Sequence, residues 1–427
     1  MARWVLAAVF LTAAAWGEDV SRPNVVLLSV DTLRADHLGC YGHERDTSPA
    51  VDAFAATGLL FEDTVCEVPL TSPSFGSMLS SRYPRETGTT RNGLRMPGHV
   101  PLVQERFRDA GYETFCAQSN WTLKAKLSGL DRGFERYDDG FHKKRWGFIK
   151  AERVAEEVAD TALALLESRD PARPFFAWIH FTDPHAPYTF HRKHNPAGKR
   201  PFRQPREEKV GIQYDSEVAY CDAHIARVLA ALPENTAVVF TADHGESLWE
   251  HDYLGHGRRI YQPGLHIPLA IRAPGLAPGR TAAPARGIDI GPTLLGLAGI
   301  APAEGMLGID LLAAPPAPDR VRVVETYGGA VPNLPGARAM MADAPPMRQG
   351  AIADGWKLIL DGDDAELFDL ATDPGELENR SDFQPDRLEA LRAHIAAWDA
   401  ATARVEPGEE DLSAEDMRAL EALGYVE

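Results

Sequence analysis

Three groups of residues in this chain have the types and spacing to do chemistry. Asp31 follows the apolar run Asn24 to Val30, and Asp243-His244-Gly245 follows a second apolar run, Ala237 to Thr241. In an open sheet of parallel strands, ligands bind beyond the carboxyl ends of the strands, so both positions fall where a site would form. Two carboxylates and one imidazole make a hard, oxygen-rich donor set with a single nitrogen, suited to a divalent cation. Taken alone, either aspartate reads as a helix cap or turn residue. The third group is the hydroxyl-dense stretch Val68 to Pro84, in which Thr71, Ser72 and Ser74 lie ahead of, or at, a helix expected to begin near Ser74. A hydroxyl at a helix N-terminus sits where developing negative charge is stabilised. Capping is the plainer reading for Ser72 and Ser74.

These residues need a scaffold, and the pattern supplies one. Asn24 to Val30 is nearly continuous in apolar residues, as expected of a parallel strand buried on both faces. Helical spacing is expected over Val51 to Thr57, a helix closes over Phe107 to Ala110 before Gly111, and Glu113 to Ala117 reads as a strand. Lys150 to Ser168 places Val154, Val158, Ala162 and Leu165 at helical spacing, and Pro174 introduces the strand Phe175 to Phe181. Tyr214 to Leu232 carries Val218, Cys221, Ile225 and Leu229 on one helix face, Pro233 stops it, and Ala237 to Thr241 forms the next strand. The alternation implies an α/β fold with a mostly parallel central sheet flanked by helices. A Pro- and Ala-rich stretch, Ala301 to Asp319, marks a linker. Beyond it, Val321 to Thr326, Gly350 to Leu360 and Glu366 to Leu370 read as short strands, followed by a helix from Gln384 to Thr402. This pattern implies a small C-terminal α+β subdomain with an antiparallel sheet plus a helix. The expected division is 1–17 export signal, 18–318 main domain and 319–427 subdomain, the last closing on a helical Leu420, Leu423 pattern.

The chain has 427 residues and a formal net charge of −18, with 44% hydrophobic and 25% charged residues. That composition sets aside disorder, collagen and multi-span membrane classes. The acidic balance argues against a broad nucleic-acid surface, so any anionic substrate needs a locally positive site. At the start, Arg3, the apolar stretch Trp4 to Ala15 and the small-x-small Ala15-Trp16-Gly17 before Glu18 have the three regions of an export signal. Export to the periplasm or outside the cell is expected, without stable membrane insertion, since no later segment resembles a spanning helix. Cys40, Cys66, Cys116 and Cys221 lack metal-finger spacing, and either two disulfides or buried thiols are compatible with export.

Asp31-Thr32-Leu33-Arg34-Ala35-Asp36-His37-Leu38-Gly39-Cys40-Tyr41-Gly42, followed by Thr47-Ser48-Pro49, resembles the opening of sulfatases in the alkaline-phosphatase-like superfamily. His180-Phe181-Thr182-Asp183-Pro184-His185-Ala186-Pro187-Tyr188 is similar to their central motif. Thr241-Ala242-Asp243-His244-Gly245-Glu246, then His256-Gly257 and Ile267-Pro268-Leu269, is similar to their second metal segment. Gly355-Trp356-Lys357-Leu358-Ile359, Glu366-Leu367-Phe368-Asp369-Leu370 and Asp373-Pro374 are similar to their C-terminal subdomain. The resemblance implies metal-ligand roles for Asp31, Asp243 and His244, with calcium the usual ion. Thr32 stands where many relatives have a second acidic ligand, a change that lowers ligand charge and leaves magnesium, manganese or zinc open. It also implies a substrate-binding role for His185 and places His256 at the position of a cationic residue beside the transferred group.

One block departs from the pattern. Sulfatases are similar through a Cys (or Ser)-x-Pro-Ser-Arg signature whose first residue is oxidised to formylglycine, and here it reads Thr71-Ser72-Pro73-Ser74-Phe75. Threonine carries a methyl on Cβ, so the same oxidation would give a ketone, and no formylglycine is expected. Phe75 cannot replace a guanidinium. The family's lysine and histidine pair has no clear counterpart around Gln118-Ser119-Asn120-Trp121-Thr122, where Asn120 is a polar substitute toward substrate or a turn residue. Three readings follow: a metal-dependent hydrolase of sulfate esters; a phosphate ester hydrolase or phosphotransferase with Thr71 as direct nucleophile; or an inactive sulfatase-like protein that binds a sulfated glycan. A basic insertion after the central motif, from His191-Arg192-Lys193-His194 through Lys199, Arg200, Arg203 and Arg206, is either a solvated loop or an attractor for a sulfated or phosphorylated polymer. Asp138-Asp139 and the nearby Lys143, Lys144 and Arg145 form a mixed-charge stretch without assigned chemistry.

Overall fold

The computed structural model describes residues 22–141, 153–328 and 349–405. The export segment, the cluster of Lys143, Lys144 and Arg145, and the Leu420, Leu423 pattern lie outside these residues.

Eight strands form one sheet: β1 (Asn24–Val30), β2 (Leu59–Phe61), β3 (Glu113–Ala117), β4 (Arg136–Asp138), β5 (Phe175–Phe181), β6 (Thr236–Ala242), β7 (Leu269–Arg272) and β8 (Gly279–Thr281). Their spatial order is β8-β2-β7-β6-β1-β5-β3-β4, and β7 alone runs antiparallel to both its neighbours. The central strand β1 pairs in parallel with β5 and β6, so Val30 lies level with Phe181 on one side and with Ala242 on the other. The register therefore ends all three strands together, and brings the residues that follow, Asp31, Thr182 and Asp243, to one edge. Side chains alternate across a strand. Val26, Leu28, Ile179 and Phe240 accordingly enter one core layer, while Val25, Leu27, Trp178 and Val239 enter the other.

Helices α1 (Pro49–Ala56), α4 (Ala155–Glu167) and α5 (Arg206–Ala231) cover the first face; α2 (Thr71–Ser80), α3 (Val103–Asp109) and α6 (Gly287–Leu297) cover the second. Every residue of α2 is buried, which its serines and Gly76 make feasible by allowing close approach. A Cβ on the facing Gly291 of α6 would come within 2.7 Å of the Met78 carbonyl oxygen.

A second sheet, β9 (Arg322–Glu325), β10 (Gln349–Ala353), β11 (Trp356–Asp361) and β12 (Asp364–Asp369), is antiparallel throughout. Helix α7 (Pro385–Ala401) buries Leu391 and Ile395 against Ala351, Leu358 and Leu367. The opposite face, Val324, Ile352, Ile359 and Phe368, joins the core of the main sheet.

The structure adjusts several sequence expectations. Helix α2 starts at Thr71 rather than near Ser74, with Leu70 as its N-cap and no side-chain cap, so Ser72 and Ser74 are not capping residues. Gly350 to Leu360 is two strands of a hairpin, turned at Asp354 and Gly355 with φ of 51° and 75°. Helix α5 starts at Arg206, eight residues before the expected Tyr214, so Arg206 of the basic insertion belongs to it. All four cysteines are free thiols.

Candidate active site

Asp31, Asp243 and His244 meet at the strand-end edge with one ligand atom each inside a 4.8 Å span, and all three are fully buried. His244 Nε2 lies 3.4 Å from Asp243 Oδ2 and 3.8 Å from Asp31 Oδ1. Its Nδ1 is 2.9 Å from the Gly245 carbonyl oxygen, an acceptor only, so the ring proton sits on Nδ1 and the Nε2 lone pair faces the two carboxylates. Burial and the neighbouring His256 push the imidazole down to about 3, which keeps it neutral.

The two aspartates differ in how they are held. Asp31 Oδ2 accepts from Asn120 Nδ2 at 2.5 Å and lies 3.8 Å from His180 Nε2. Burial pushes this carboxyl up, but the histidines around it, His180, His185 and His244, outweigh burial and hold it well below the usual carboxylate range. Asp243 Oδ1 accepts from the backbone N–H of Thr32 at 3.2 Å and of His244 at 2.9 Å. Burial and the charge on Asp31 push the Asp243 carboxyl well above its ordinary value. Asp31 Oδ1 and Asp243 Oδ2 have no hydrogen-bond partner among the described residues. Two bare carboxylate oxygens and an imidazole lone pair, shielded from water and facing one another, fit a divalent cation.

Thr32 does not complete the donor set. Its φ is 54°, an unusual backbone state for a β-branched residue, and its hydroxyl donates back to the Asp31 carbonyl oxygen at 2.7 Å. The backbone conformation presents the Thr32 N–H to Asp243 instead.

Thr71, the first residue of α2, is fully buried with Oγ1 3.4 Å from His244 Nε2. Its neighbours on the helix serve as anchors. Ser74 Oγ donates to the Asp243 carbonyl oxygen at 2.6 Å, and Ser72 takes Asn92 and Thr122 as partners. Gly245 packs against the short helix Gln262–Leu265 so closely that a Cβ would stand 2.0 Å from the Pro263 carbonyl oxygen. On the open side, the His256 ring lies 4.6 Å from that of His244 and 5.2 Å from that of His185. His256 Nδ1 is 3.1 Å from Glu246 Oε1, which directs Nε2 away from that carboxylate. His185 and His256 are 4% and 5% exposed whereas Thr71 is at 0%, so the pair lies nearer the surface than Thr71.

The structure thus brings Thr71, His185, His256, Asp31, Asp243 and His244 together. Asn120 is engaged otherwise: its Nδ2 is on Asp31, and its Oδ1 accepts from the N–H and hydroxyl of Thr122. Sequence reasoning gave no role to His180, although it stands one residue from the end of an otherwise apolar strand. Trp178 Nε1 donates to Ser29 Oγ at 3.0 Å, and Ser29 Oγ is 3.0 Å from His180 Nδ1. The indole only donates, so Ser29 Oγ accepts from it and stands within hydrogen-bond distance of Nδ1, while Nε2 faces Asp31. Phe75, at the position of the signature arginine, fills the space beneath this chain, its ring 4.8 Å from Trp178 and 4.7 Å from His180. The signal for the chain was a serine and a histidine level with each other in paired apolar strands.

Residues 23–300 match the family profile described as Sulfatase. The chain belongs to the sulfatase family. An ulvan-active sulfatase of Formosa agariphila is 29% identical over 368 residues, covering 74% of this chain and 71% of the relative. A choline-sulfatase of Rhizobium meliloti is 25% identical, covering 88% and 87%. Among solved structures, the phosphonate monoester hydrolase of Agrobacterium radiobacter superposes with a TM-score of 0.72 at 20% identity, over 89% of this chain and 96% of that one. A structure in complex with its substrate D-glucosamine-2-N,6-O-disulfate superposes with a TM-score of 0.71 at 20% identity, over 89% and 98%. At this identity the two structures establish the fold, including the central sheet and the small antiparallel one. Enzymes of the sulfatase family use a divalent metal, and the Asp31, Asp243 and His244 cluster is a donor set for one.

Proposed function

We propose that this protein is a divalent-cation-dependent hydrolase of sulfate esters that uses the Thr71 hydroxyl as nucleophile. The carrying observation is the convergence of Asp31 from one strand end and Asp243 and His244 from another beneath a buried hydroxyl at a helix N-terminus. A cation held by those three residues supplies positive charge against which a sulfuryl oxygen and an ionised hydroxyl are stabilised. The family usually carries calcium, and two carboxylates with one imidazole also accept magnesium, manganese or zinc.

The chain's own residues account for the rest. The Thr71 Oγ1 proton passes to His185 or His256 as Oγ1 bonds to sulfur, the ester S–O bond breaks, and the departing oxygen takes the proton from that histidine. Water then attacks the same sulfur, the Thr71 oxygen regains a proton, and sulfate leaves. Glu246 holds His256 through Nδ1, in an orientation that keeps Nε2 away from that carboxylate. Asn120 acts through Asp31 rather than on the substrate.

A second reading has its own support. Thr71 cannot become formylglycine, and a direct hydroxyl nucleophile equally serves phosphoryl transfer. Turnover of aryl sulfate and aryl phosphate monoesters by the purified protein, with and without calcium, magnesium, manganese or zinc, separates the readings. Cation-dependent sulfate release is expected; phosphate release alone replaces the first reading with the second, and no release with any cation leaves only a glycan-binding role.

We further propose that the protein is exported, on the three-region pattern of residues 1–17. A mature N-terminus at Glu18, read by mass spectrometry of protein from its own cell, is the expected result.

A further inference from the structure

Between the motif that ends at Tyr188 and the body of α5, the chain has a segment unlike the rest in charge. Residues 191–206 hold Arg192, Lys193, Lys199, Arg200, Arg203 and Arg206 and no acidic residue, in a chain whose net charge is −18. All six cations are exposed. Lys199 is 3.4 Å from Glu208, and the Arg206 guanidinium lies 4.1 Å above the Trp249 ring. Arg192, Lys193, Arg200 and Arg203 have no carboxylate or hydrogen-bond partner among the described residues. Most arginines elsewhere in this acidic protein are paired, as Arg34, Arg85, Arg153 and Arg320 are. Four unpaired like charges in one short segment repel one another, and an anion would relieve that repulsion.

The segment is also built to hold its shape. The His191 ring stacks on Tyr220 at 4.0 Å with an interplanar angle of 5°, its Nε2 is 2.9 Å from the buried Glu217, and its backbone N–H donates to Ser216. His194 meets Tyr220 edge-on, and Pro201 is buried. Phe202 nevertheless stands 73% exposed between Arg200 and Arg203. An apolar ring left in water on an anchored turn is a contact surface in waiting. Both ends adjoin segments that carry active-site residues, one along the chain and one by contact. Arg192 follows His185 by seven residues, within about 25 Å at full extension. Arg206 covers Trp249, three residues beyond the Glu246 that holds His256.

We propose that residues 191–206 form the docking surface for a sulfated polysaccharide, and that the substrate is a polymer rather than a small ester. Sulfate groups remote from the scissile bond sit on Arg192, Lys193, Arg200 and Arg203, where guanidinium groups can take two oxygens at once. Phe202 lies under a sugar ring. The proposal rests on the sulfate-ester reading above, which makes the anion a sulfate; the exposed Phe202 ring among the cations is what points to a sugar as its carrier.

The test uses the full chain with Thr71→Ala, so that ligand is held and not turned over, and measures binding to heparin, desulfated heparin and poly-glutamate. Heparin is expected to bind tightest. Combining Arg192→Glu, Lys193→Glu, Arg200→Glu and Arg203→Glu should weaken heparin binding at least about tenfold. Phe202→Ala should weaken heparin about two- to tenfold and leave poly-glutamate unchanged. With Thr71 intact, these surface variants should hydrolyse a small aryl sulfate at the parent rate. Heparin binding indifferent to the charge reversals, or poly-glutamate bound as tightly as heparin with no effect of Phe202→Ala, overturns the docking surface. Failure of every variant to release sulfate from the small ester strikes the sulfate-ester reading instead, because surface-dependent heparin binding is measured without turnover.

Discussion

A single carboxylate shows how much of the site depends on residues that never reach the substrate. Asp31 turns one oxygen to the Asp243 and His244 side because its other oxygen accepts from Asn120, with His180 Nε2 3.8 Å away at the end of the Trp178 and Ser29 chain. Replacing His180 with Ala should weaken divalent-cation affinity roughly ten- to a hundredfold by calorimetry, as loss of a residue supporting a metal ligand does. His180→Gln, which restores an N–H near the Nε2 position, should recover part of that affinity; equal affinities for His180→Ala and the parent would show that the histidine only fills space. The candidate cation ligands were legible in the sequence because a polar residue directly after a buried apolar strand stands at the edge where such sheets bind ligands. Asn120 and His180 were not, because their partners, Asp31 and Ser29, lie 89 and 151 residues away. Phe75 was legible only as a missing arginine, while its place against Trp178 and His180 needed the sheet register.

At the scale of elements, the strand ends align the chemistry and the loops beyond them are held by close contacts. The loop after β6 leaves no room for a side chain at residue 245, where a Cβ would stand 2.0 Å from a backbone oxygen. Gly245→Ala should cost about 1–3 kcal/mol in chemical denaturation and displace His244, lowering cation affinity as well. Glu67 reports on another junction. Its Oε1 accepts from the Ile288 N–H in the first turn of α6 at 3.2 Å, and burial pushes its carboxyl up to about 7 from an ordinary 4.5. The folded state therefore binds this proton more tightly than the unfolded chain. The resulting stability is fully present below pH 4.5 and is lost as pH rises through 7. The swing is about 3 kcal/mol. Glu67→Gln should flatten that part of the stability curve in urea titrations run from pH 4.5 to 8, and an unchanged curve would place the titration elsewhere. The long buried strands and α5 were readable from apolar runs and helical spacing. Strands β2, β7 and β8 were not, being three or four residues long, too short for an apolar run or alternation to stand out even beside the Pro274-Gly275 and Pro278-Gly279 turns. The start of α2 was misplaced because the Thr71-Ser72-Pro73 hydroxyls and proline read as a lead-in, whereas Pro73 sits in the first turn, where a missing N–H costs nothing.

For the whole molecule, the small C-terminal sheet and the main sheet share one core, and polar ties cross the same boundary. Arg85 bridges Glu325 and Asp399 beneath the Trp398 ring, Tyr261 donates to Glu366 at 2.8 Å, and the buried Lys357 and Glu376 pair is joined to the main domain through the Gln262 N–H. Residues 18–318 expressed alone should be insoluble or melt far below the full chain, because Val324, Ile352, Ile359 and Phe368 no longer cover their part of the core. A soluble, fully active truncation would contradict the shared core. The sequence pattern disclosed two sheets and their classes, but the sharing of a core between them is a property of packing that no local pattern carries. What unites the scales is one claim, that a cation cluster at the strand ends activates the hydroxyl of Thr71 toward a sulfate ester. Its most direct test is steady-state sulfate release by the parent, Thr71→Ser and Thr71→Ala, each with its bound cation measured in the same sample. The account predicts full cation occupancy in all three, partial turnover for Thr71→Ser and none for Thr71→Ala; undiminished sulfate release by Thr71→Ala would contradict it.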